Sequence, residues 1–243
     1  FKKYFNTTKK KFLIATHDFV DAPHAMGNSL FEDFYIWLKF LLDNSNKNIQ
    51  WYIKTHPNFG SDWSIYIKYE REVVKKLIKK YKNIILLPQN ITHNEIVRNK
   101  IDAVFTVNGT VGLDYSLLNT PVINASLNNP HINFKFNFHP KSKNELGMII
   151  KKFNYKKKIS FDEIYNFYAI KNVFFSKNWF FTDFEKTIKS VQSYHNLWKP
   201  LFYTYWIAQE YPNCNNIKLK NRLKNFISSS ENFCLNNNNL GKF

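Results

Sequence analysis

Ala103-Val104-Phe105-Thr106-Val107-Asn108-Gly109-Thr110-Val111-Gly112-Leu113-Asp114 is the stretch on which the fold turns. Its first five residues form a short, continuous apolar run with the length of a strand covered on both faces. Asn108-Gly109 breaks that run, and Gly109 lets the backbone take a turn that other residues resist. Gly109-Thr110 then opens a helix expected to reach about Leu118, with Thr110 able to cap it. Strand, tight turn and helix in this order are one half of a parallel β-α-β unit.

The same grammar recurs to either side. Phe12 to Thr16, Ile49 to Thr55, Ile84 to Leu87 and Pro121 to Ile123 are further strand-length apolar runs. Between the first two, Leu30, Phe31, Phe34, Ile36, Trp37, Leu38, Leu41 and Leu42 recur at helical spacing, and Ser29 with Glu32 reads as a capping box. A second helix is expected from Asp62, as its cap, to about Tyr81, with Trp63, Tyr66, Val73, Val74, Leu77 and Ile78 as its apolar members. Thr92 caps a short helix, His93 to Asn99. The alternation predicts an α/β, Rossmann-like parallel sheet with helices on both faces and right-handed crossovers.

After Asn124 the strand pattern stops. Lys143 to Phe153, Phe161 to Ser176 and Thr182 to Glu210 read as helices, the last two rich in aromatics such as Trp179, Trp198 and Trp206. The expected organisation is a nucleotide-binding domain over residues 1–140, a helical packing segment over 141–210 and a polar, Asn-rich tail over 211–243.

Composition bounds the function. The 243 residues hold 44% hydrophobic residues, enough for a substantial core. A net charge of +17 points to a phosphorylated ligand, a nucleic acid or an anionic membrane surface. Yet nearly all of this charge is Lys; the arginines are Arg71, Arg98 and Arg222. Abundant Lys, Asn, Phe, Ile and Tyr is also what an A/T-rich coding sequence supplies. Aromatics interleaved with basic residues on one face, as a nucleic-acid platform needs, are not evident, so no nucleic acid is expected. Cys214 and Cys234 have no metal spacing and read as ordinary thiols. No apolar run is long enough to cross a membrane. The chain starts at Phe1, with Met26 and Met148 internal, which suggests a fragment.

In open parallel sheets ligands bind beyond the carboxyl ends of the strands. Three polar clusters fall there: His17 to His24, Lys54-Thr55-His56-Pro57, and Asn108 to Asp114. Backbone N–H groups around Gly109 and Thr110 suit a phosphate, and Asp114 suits a ribose hydroxyl. His56 could donate to a phosphate or a base carbonyl, Lys54 could add charge, and Pro57 fixes the turn. His17, Asp21 and His24 are candidate acid–base or metal groups, but His-x6-His in a loop is not a specific metal pattern, and no metal is assigned. Asn129-Pro130-His131 and His139-Pro140 could also reach this rim. The Gly pattern is neither a dinucleotide fingerprint nor a P-loop.

Taken in order, these pieces resemble a family. Thr106 to Asp114 followed by Asn119-Thr120-Pro121-Val122-Ile123 is similar to the T-x-x-G-T-x-G-x-E…G-x-P-V-I segment of bacterial capsular-polysaccharide glycosyltransferases. Lys54-Thr55-His56-Pro57 resembles their His-Pro motif, and the loop Asp21-Ala22-Pro23-His24 one found in the same set. Asp114 stands where Glu is commoner, and Asn119 where Gly is commoner. The resemblance implies the GT-B architecture, with this chain as the C-terminal, donor-binding half and an acceptor domain before residue 1. It implies that His56 and Pro57 contact a nucleotide and that Asn108, Gly109 and Thr110 contact its phosphate. It further implies transfer of a glycosyl or related group from a nucleotide-activated donor, CMP- or CDP-linked by preference, to a polysaccharide acceptor. That donor is a substrate, and no further cofactor is implied. Asp21 or His24 is the candidate catalytic base, unless the base lies in the missing half. The implied location is cytoplasmic, at the inner face of the inner membrane, with peripheral membrane contact. The alternatives are a GT-B-like nucleotide-sugar epimerase and a non-catalytic basic module that binds nucleic acid or anionic membrane.

Overall fold

Phe12 and Ile14 on one side of a strand, and Leu13 and Ala15 on the other, are all buried. A strand apolar on both faces needs a cover on each, and the computed structural model supplies both. It describes residues 1–19, 28–60, 65–153 and 159–169, with the isolated positions 171, 185, 186, 189, 221 and 228. By its internal contacts the chain divides into two compact units, Phe1–Ile164 and Tyr165–Phe243. Of the helices expected over Phe161 to Ser176 and Thr182 to Glu210, the part of the first beyond 169 but for 171 and all of the second but 185, 186 and 189 lie outside the described residues, as do the two cysteines.

The first unit holds β1 (Lys10–Ala15), α1 (Phe34–Asp43), β2 (Ile49–Lys54), α2 (Ile65–Ile78), β3 (Ile84–Leu86) and α3 (His93–Arg98). It continues with β4 (Ala103–Thr106), α4 (Val111–Leu117), β5 (Val122–Asn124) and α5 (Lys143–Lys152), and α6 (Phe161–Tyr168) follows. The five strands form one sheet in the order β3-β2-β1-β4-β5. Every pairing is parallel, with Phe12 opposite both Trp51 and Ala103. This is the expected doubly wound α/β sheet, with strand ends within a residue or two of those read from the sequence.

Strand alternation divides the core into two layers. Phe12, Ile14, Trp51, Ile53, Phe105 and Ile123 pack with residues of α1, α2 and α5. Leu13, Ala15, Tyr52, Val104 and Val122 pack with Ile96 of α3 and Tyr115 of α4. The chain runs outward from β1 to β3 with its helices on the first face, then returns to β4 and β5 with helices on the second. One crossover hand requires this change of face when the direction of travel reverses. The reversal leaves a crevice between β1 and β4 at their carboxyl ends, where neither connection closes the rim.

Helix ends are where local expectation and structure part. The cap expected at Thr92 forms, and Glu95 completes a capping box that was not foreseen, with Glu95 N donating to Thr92 Oγ1 at 3.2 Å and Thr92 N to Glu95 Oε2 at 2.9 Å. The box expected at Ser29 and Glu32 does not form. Ser29 bridges Ser126, and Leu30 N donates to Ala125 O, which keeps this segment extended. Glu32 pairs with Lys143 instead, and Asp33 caps α1, taking Ile36 N at 2.7 Å. On α2 the buried stripe is Ile67, Glu70, Val74 and Leu77, whereas Tyr66 and Val73 face solvent. Its expected cap, Asp62, lies outside the described residues. Asn119, standing where the resembling family favours Gly, has φ of 55°. Asn tolerates that left-handed turn better than most side chains.

Candidate functional site

Each of the three polar clusters leaves the carboxyl end of a strand, and β1 lies between β2 and β4. The sheet therefore sets His17-Asp18 between His56 on one side and Asn108-Gly109 on the other.

The β1–β4 side is built around His17. Its ring stacks on Phe34 with centroids 4.5 Å apart. Its Nε2 accepts Asn108 N–H at 3.2 Å, with Thr106 Oγ1 3.3 Å from the same nitrogen. An accepting Nε2 places the ring proton on Nδ1. His17, a candidate acid–base or metal group in the sequence, is thus a prop for the turn that follows β4. Asn108 Oδ1 accepts Gly109 N at 2.7 Å. Gly109 has φ of +97°, a conformation that L side chains rarely adopt. Gly109 and Thr110 are exposed. Thr110 was expected to cap α4 with its hydroxyl, but its backbone is already helical and it makes no side-chain cap bond. A capping side chain reaches back only from extended backbone, so the Thr110 hydroxyl has no such duty.

The β1–β2 side is built around His56. His56 N donates to Thr16 Oγ1 at 3.3 Å, and Gln89 Nε2 donates to His56 O at 3.4 Å and to Pro57 O. Its ring Nδ1 lies 3.2 Å from Asp18 Oδ2. Asp18 is buried and the His56 side chain is 36% exposed, so the pair runs from the interior to the surface. Behind Asp18 sits Glu70 of α2, also buried, whose Oε2 accepts Phe19 N at 2.7 Å. Burial raises the Glu70 carboxyl to about 7; the Phe19 bond opposes this and the nearby Asp18 charge adds to it. Pro57 opens a short 3-10 helix, Pro57–Gly60, that ends the strand as expected.

A third group stands beside these. Lys54 donates from Nζ to Gln89 O at 3.3 Å, and burial lowers its pKa. His93, at the start of α3, stacks on Tyr115 at 4.8 Å, and its Nδ1 is 3.9 Å from Asp114 Oδ2. Burial lowers the His93 pKa, Asp114 opposes the shift and Lys54 adds to it. Lys54 and Asp114, apart in sequence, are thus electrostatic neighbours of one histidine.

The other rim candidates divide. Asp21 and His24 lie outside the described residues. His131 does not reach the rim: it is buried beneath α4, its ring 5.3 Å from that of His139. Gly112 makes room for it. A Cβ there would stand 2.8 Å from His131 Nε2 and 3.0 Å from Asn137 Nδ2. Asn137 Nδ2 also donates to Gly112 O at 2.8 Å, and Ser116 Oγ donates to Asn137 Oδ1. Both neighbours are buried and cannot swing into solvent, so Gly112→Ala is expected to cost about 1–3 kcal/mol. A urea titration read by far-UV circular dichroism checks this; an unmoved midpoint would show that the network yields freely.

Sequence reading missed Asp18, Glu70, Gln89 and His93. Glu70 had a legible signal, an acid on the apolar stripe of a helix. Asp18 lay within the His17 to His24 cluster but nothing local set it apart, and Gln89 and His93 had no signal, because each gains its place only when separate strand ends meet.

Among the described residues no three His, Cys, Asp or Glu side chains group as metal ligands, and no helix is long and apolar enough to cross a membrane. No protein family matches the chain, and no curated protein does. Several solved structures are similar over part of it, among them the following two. The KpsC of Thermosulfurimonas dismutans, a beta Kdo 2,4 transferase, is 13% identical with a TM-score of 0.45, over 67% of this chain and 44% of that one. The wall teichoic acid polymerase TagF is 16% identical with a TM-score of 0.40, over 69% of this chain and 43% of that one. The chain thus spans less than half the length of either.

Proposed function

We propose that this chain binds the nucleotide-activated donor of a glycosyltransferase that builds surface polysaccharide. One observation carries the reading. His56-Pro57 and Asn108-Gly109-Thr110, the two motifs that resemble the donor site of capsular-polysaccharide transferases, leave the carboxyl ends of β2 and β4 and flank β1 at the switch point of one parallel sheet. His56 and Asn108, 52 residues apart in the chain, are brought to one rim because β2 and β4 both pair in parallel with β1.

In this reading His56 and Pro57 contact the nucleotide, with a cytidine donor favoured, and Asn108, Gly109 and Thr110 contact its phosphate. Lys54 contributes positive charge, and Asp114 a ribose contact. Preorganised donors at the leaving phosphate stabilise the charge that develops as the glycosidic bond to it breaks. Asp21 or His24, or a group of a facing acceptor domain, takes the proton of the attacking saccharide hydroxyl. The donor is a substrate, and the proposal includes no cofactor beyond it. Contact with the inner face of a membrane fits the net charge of +17 and belongs to the same proposal.

Thermal shift with CMP, CDP, UMP, UDP and GDP tests the reading. A ligand at 100 times its Kd adds about 2.7 kcal/mol of stability, and no shift with any of the five would end it. His56→Ala should weaken binding by about 1–3 kcal/mol without unfolding the domain. Isothermal titration reads this directly, and an unchanged Kd would remove His56 from the site.

A further inference from the structure

We propose that Asp18 is a positioning residue for His56: it accepts the Nδ1–H hydrogen bond, fixes the ring tautomer and orientation, and so sets Nε2 as the nitrogen with which His56 contacts the donor nucleotide, on the side of its phosphate opposite Asn108, Gly109 and Thr110. The proposal rests on the donor-site reading above and adds to it a residue that no motif contains.

The geometry is that of a buried carboxylate behind a partly exposed imidazole. Asp18 Oδ2 lies 3.2 Å from His56 Nδ1, with the carboxylate side chain 4% exposed and the imidazole 36%. A neutral imidazole has one donor and one acceptor nitrogen, and the partner of one decides the state of the other. With Nδ1–H given to Asp18, Nε2 is the second nitrogen, and a proton that it takes from water is the one it donates to a phosphate oxygen. The negative charge of Asp18 then stabilises the imidazolium so formed, as a carboxylate does for the histidine of a hydrolase triad.

Three further contacts leave the pair little freedom. Thr16 and Gln89 hold the His56 backbone from β1 and from the segment after β3. Glu70 holds the chain just past Asp18 through Phe19 N. Because burial raises the Glu70 carboxyl to about 7, with Asp18 adding to the shift, Glu70 keeps its proton over much of the neutral range. Lys54, one strand residue before Thr55, is the nearby cation on β2, bonded to Gln89 O.

The test uses the intact chain labelled with 15N-histidine. With the ring neutral, the long-range proton–nitrogen spectrum of wild type should show His56 protonated at Nδ1. In Asp18→Ala the proton should move to Nε2, the nitrogen that imidazole favours without a partner, and the Kd for CMP should rise about tenfold. Asp18→Asn, whose amide oxygen can still accept Nδ1–H, should keep the wild-type tautomer and lose less affinity. A merely structural Asp18 would leave the ring nitrogens of His56 as they are. A wild-type spectrum with the proton on Nε2 overturns the proposal without any variant, so a poorly folding Asp18→Ala does not shelter it. A moved proton with unchanged CMP affinity also overturns it. If wild type binds none of the five nucleotides, the donor-site reading fails, and the ring-nitrogen spectra still decide whether Asp18 orients His56.

Discussion

Glu70→Gln is expected to raise stability at pH 8 by about 3 kcal/mol and to change how stability depends on pH. In the folded protein burial holds the Glu70 proton until about pH 7, whereas an unburied Glu releases it near 4.5. That displacement corresponds to about 3 kcal/mol. For an acid whose folded pKa is raised, the contribution is full below pH 4.5 and is lost as pH rises through 7. His139 works in the opposite sense. Burial lowers its imidazole from 6.5 to about 4, and neither ring nitrogen has a hydrogen-bond partner among the described residues. Its contribution is full above pH 6.5 and is lost as pH falls toward 4. Between 4.5 and 6.5 the two slopes, each about 1.4 kcal/mol per pH unit, oppose each other. With respect to these two groups the wild type should therefore be flat in that window. Glu70→Gln, whose amide oxygen can still accept Phe19 N–H, should gain stability with rising pH there. His139→Leu should lose it. Urea titrations at half-unit steps from pH 4.5 to 8 give the slopes, and parallel curves for the three proteins would exclude the account.

The largest single loss is expected for Trp51→Ala, about 3–5 kcal/mol. Trp51 lies on β2 next to the centre of the sheet and has no exposed surface. Its ring meets Phe12 edge-on at 5.1 Å and lies 5.2 Å from Phe105. These three residues join the faces of β2, β1 and β4 just below the crevice. Removing the indole leaves a cavity that flanking strands, held by their ladders, cannot close. Trp51→Phe should cost well under half as much. The indole N–H has no hydrogen-bond partner among the described residues, so phenylalanine breaks no polar contact and leaves only the smaller void. Guanidinium unfolding read by circular dichroism separates the two variants; equal losses would place the energy in the indole N–H rather than in packing.

How these effects arise shows what local sequence can carry. Apolar runs at 12–16, 49–55, 84–87, 103–107 and 121–123 gave the strands because a doubly covered strand writes its burial into consecutive residues. The Thr92 cap was legible because both partners lie within one turn. The Gly109 turn was legible because its φ of +97° restricts the residue type at that one position. The rim itself followed from the alternation of elements, which makes a parallel sheet the arrangement that buries every strand.

Tertiary structure decided what depends on pairs far apart in the chain. The cap of α1 moved from Ser29 to Asp33 because Ser126, 97 residues on, holds Ser29 in a bridge. His17 became a prop because the turn after β4 brings Asn108 N to its ring. His131, in the segment that follows β5, went under α4 because Gly112 leaves space there. Asp18 met His56 because β1 and β2 are neighbours in register. Sequence writes periodicity, turns and caps, since their partners are within a few residues. The pairing of a carboxylate with an imidazole across two strands costs nothing in local propensity and leaves no local mark, so only the packed sheet reveals it.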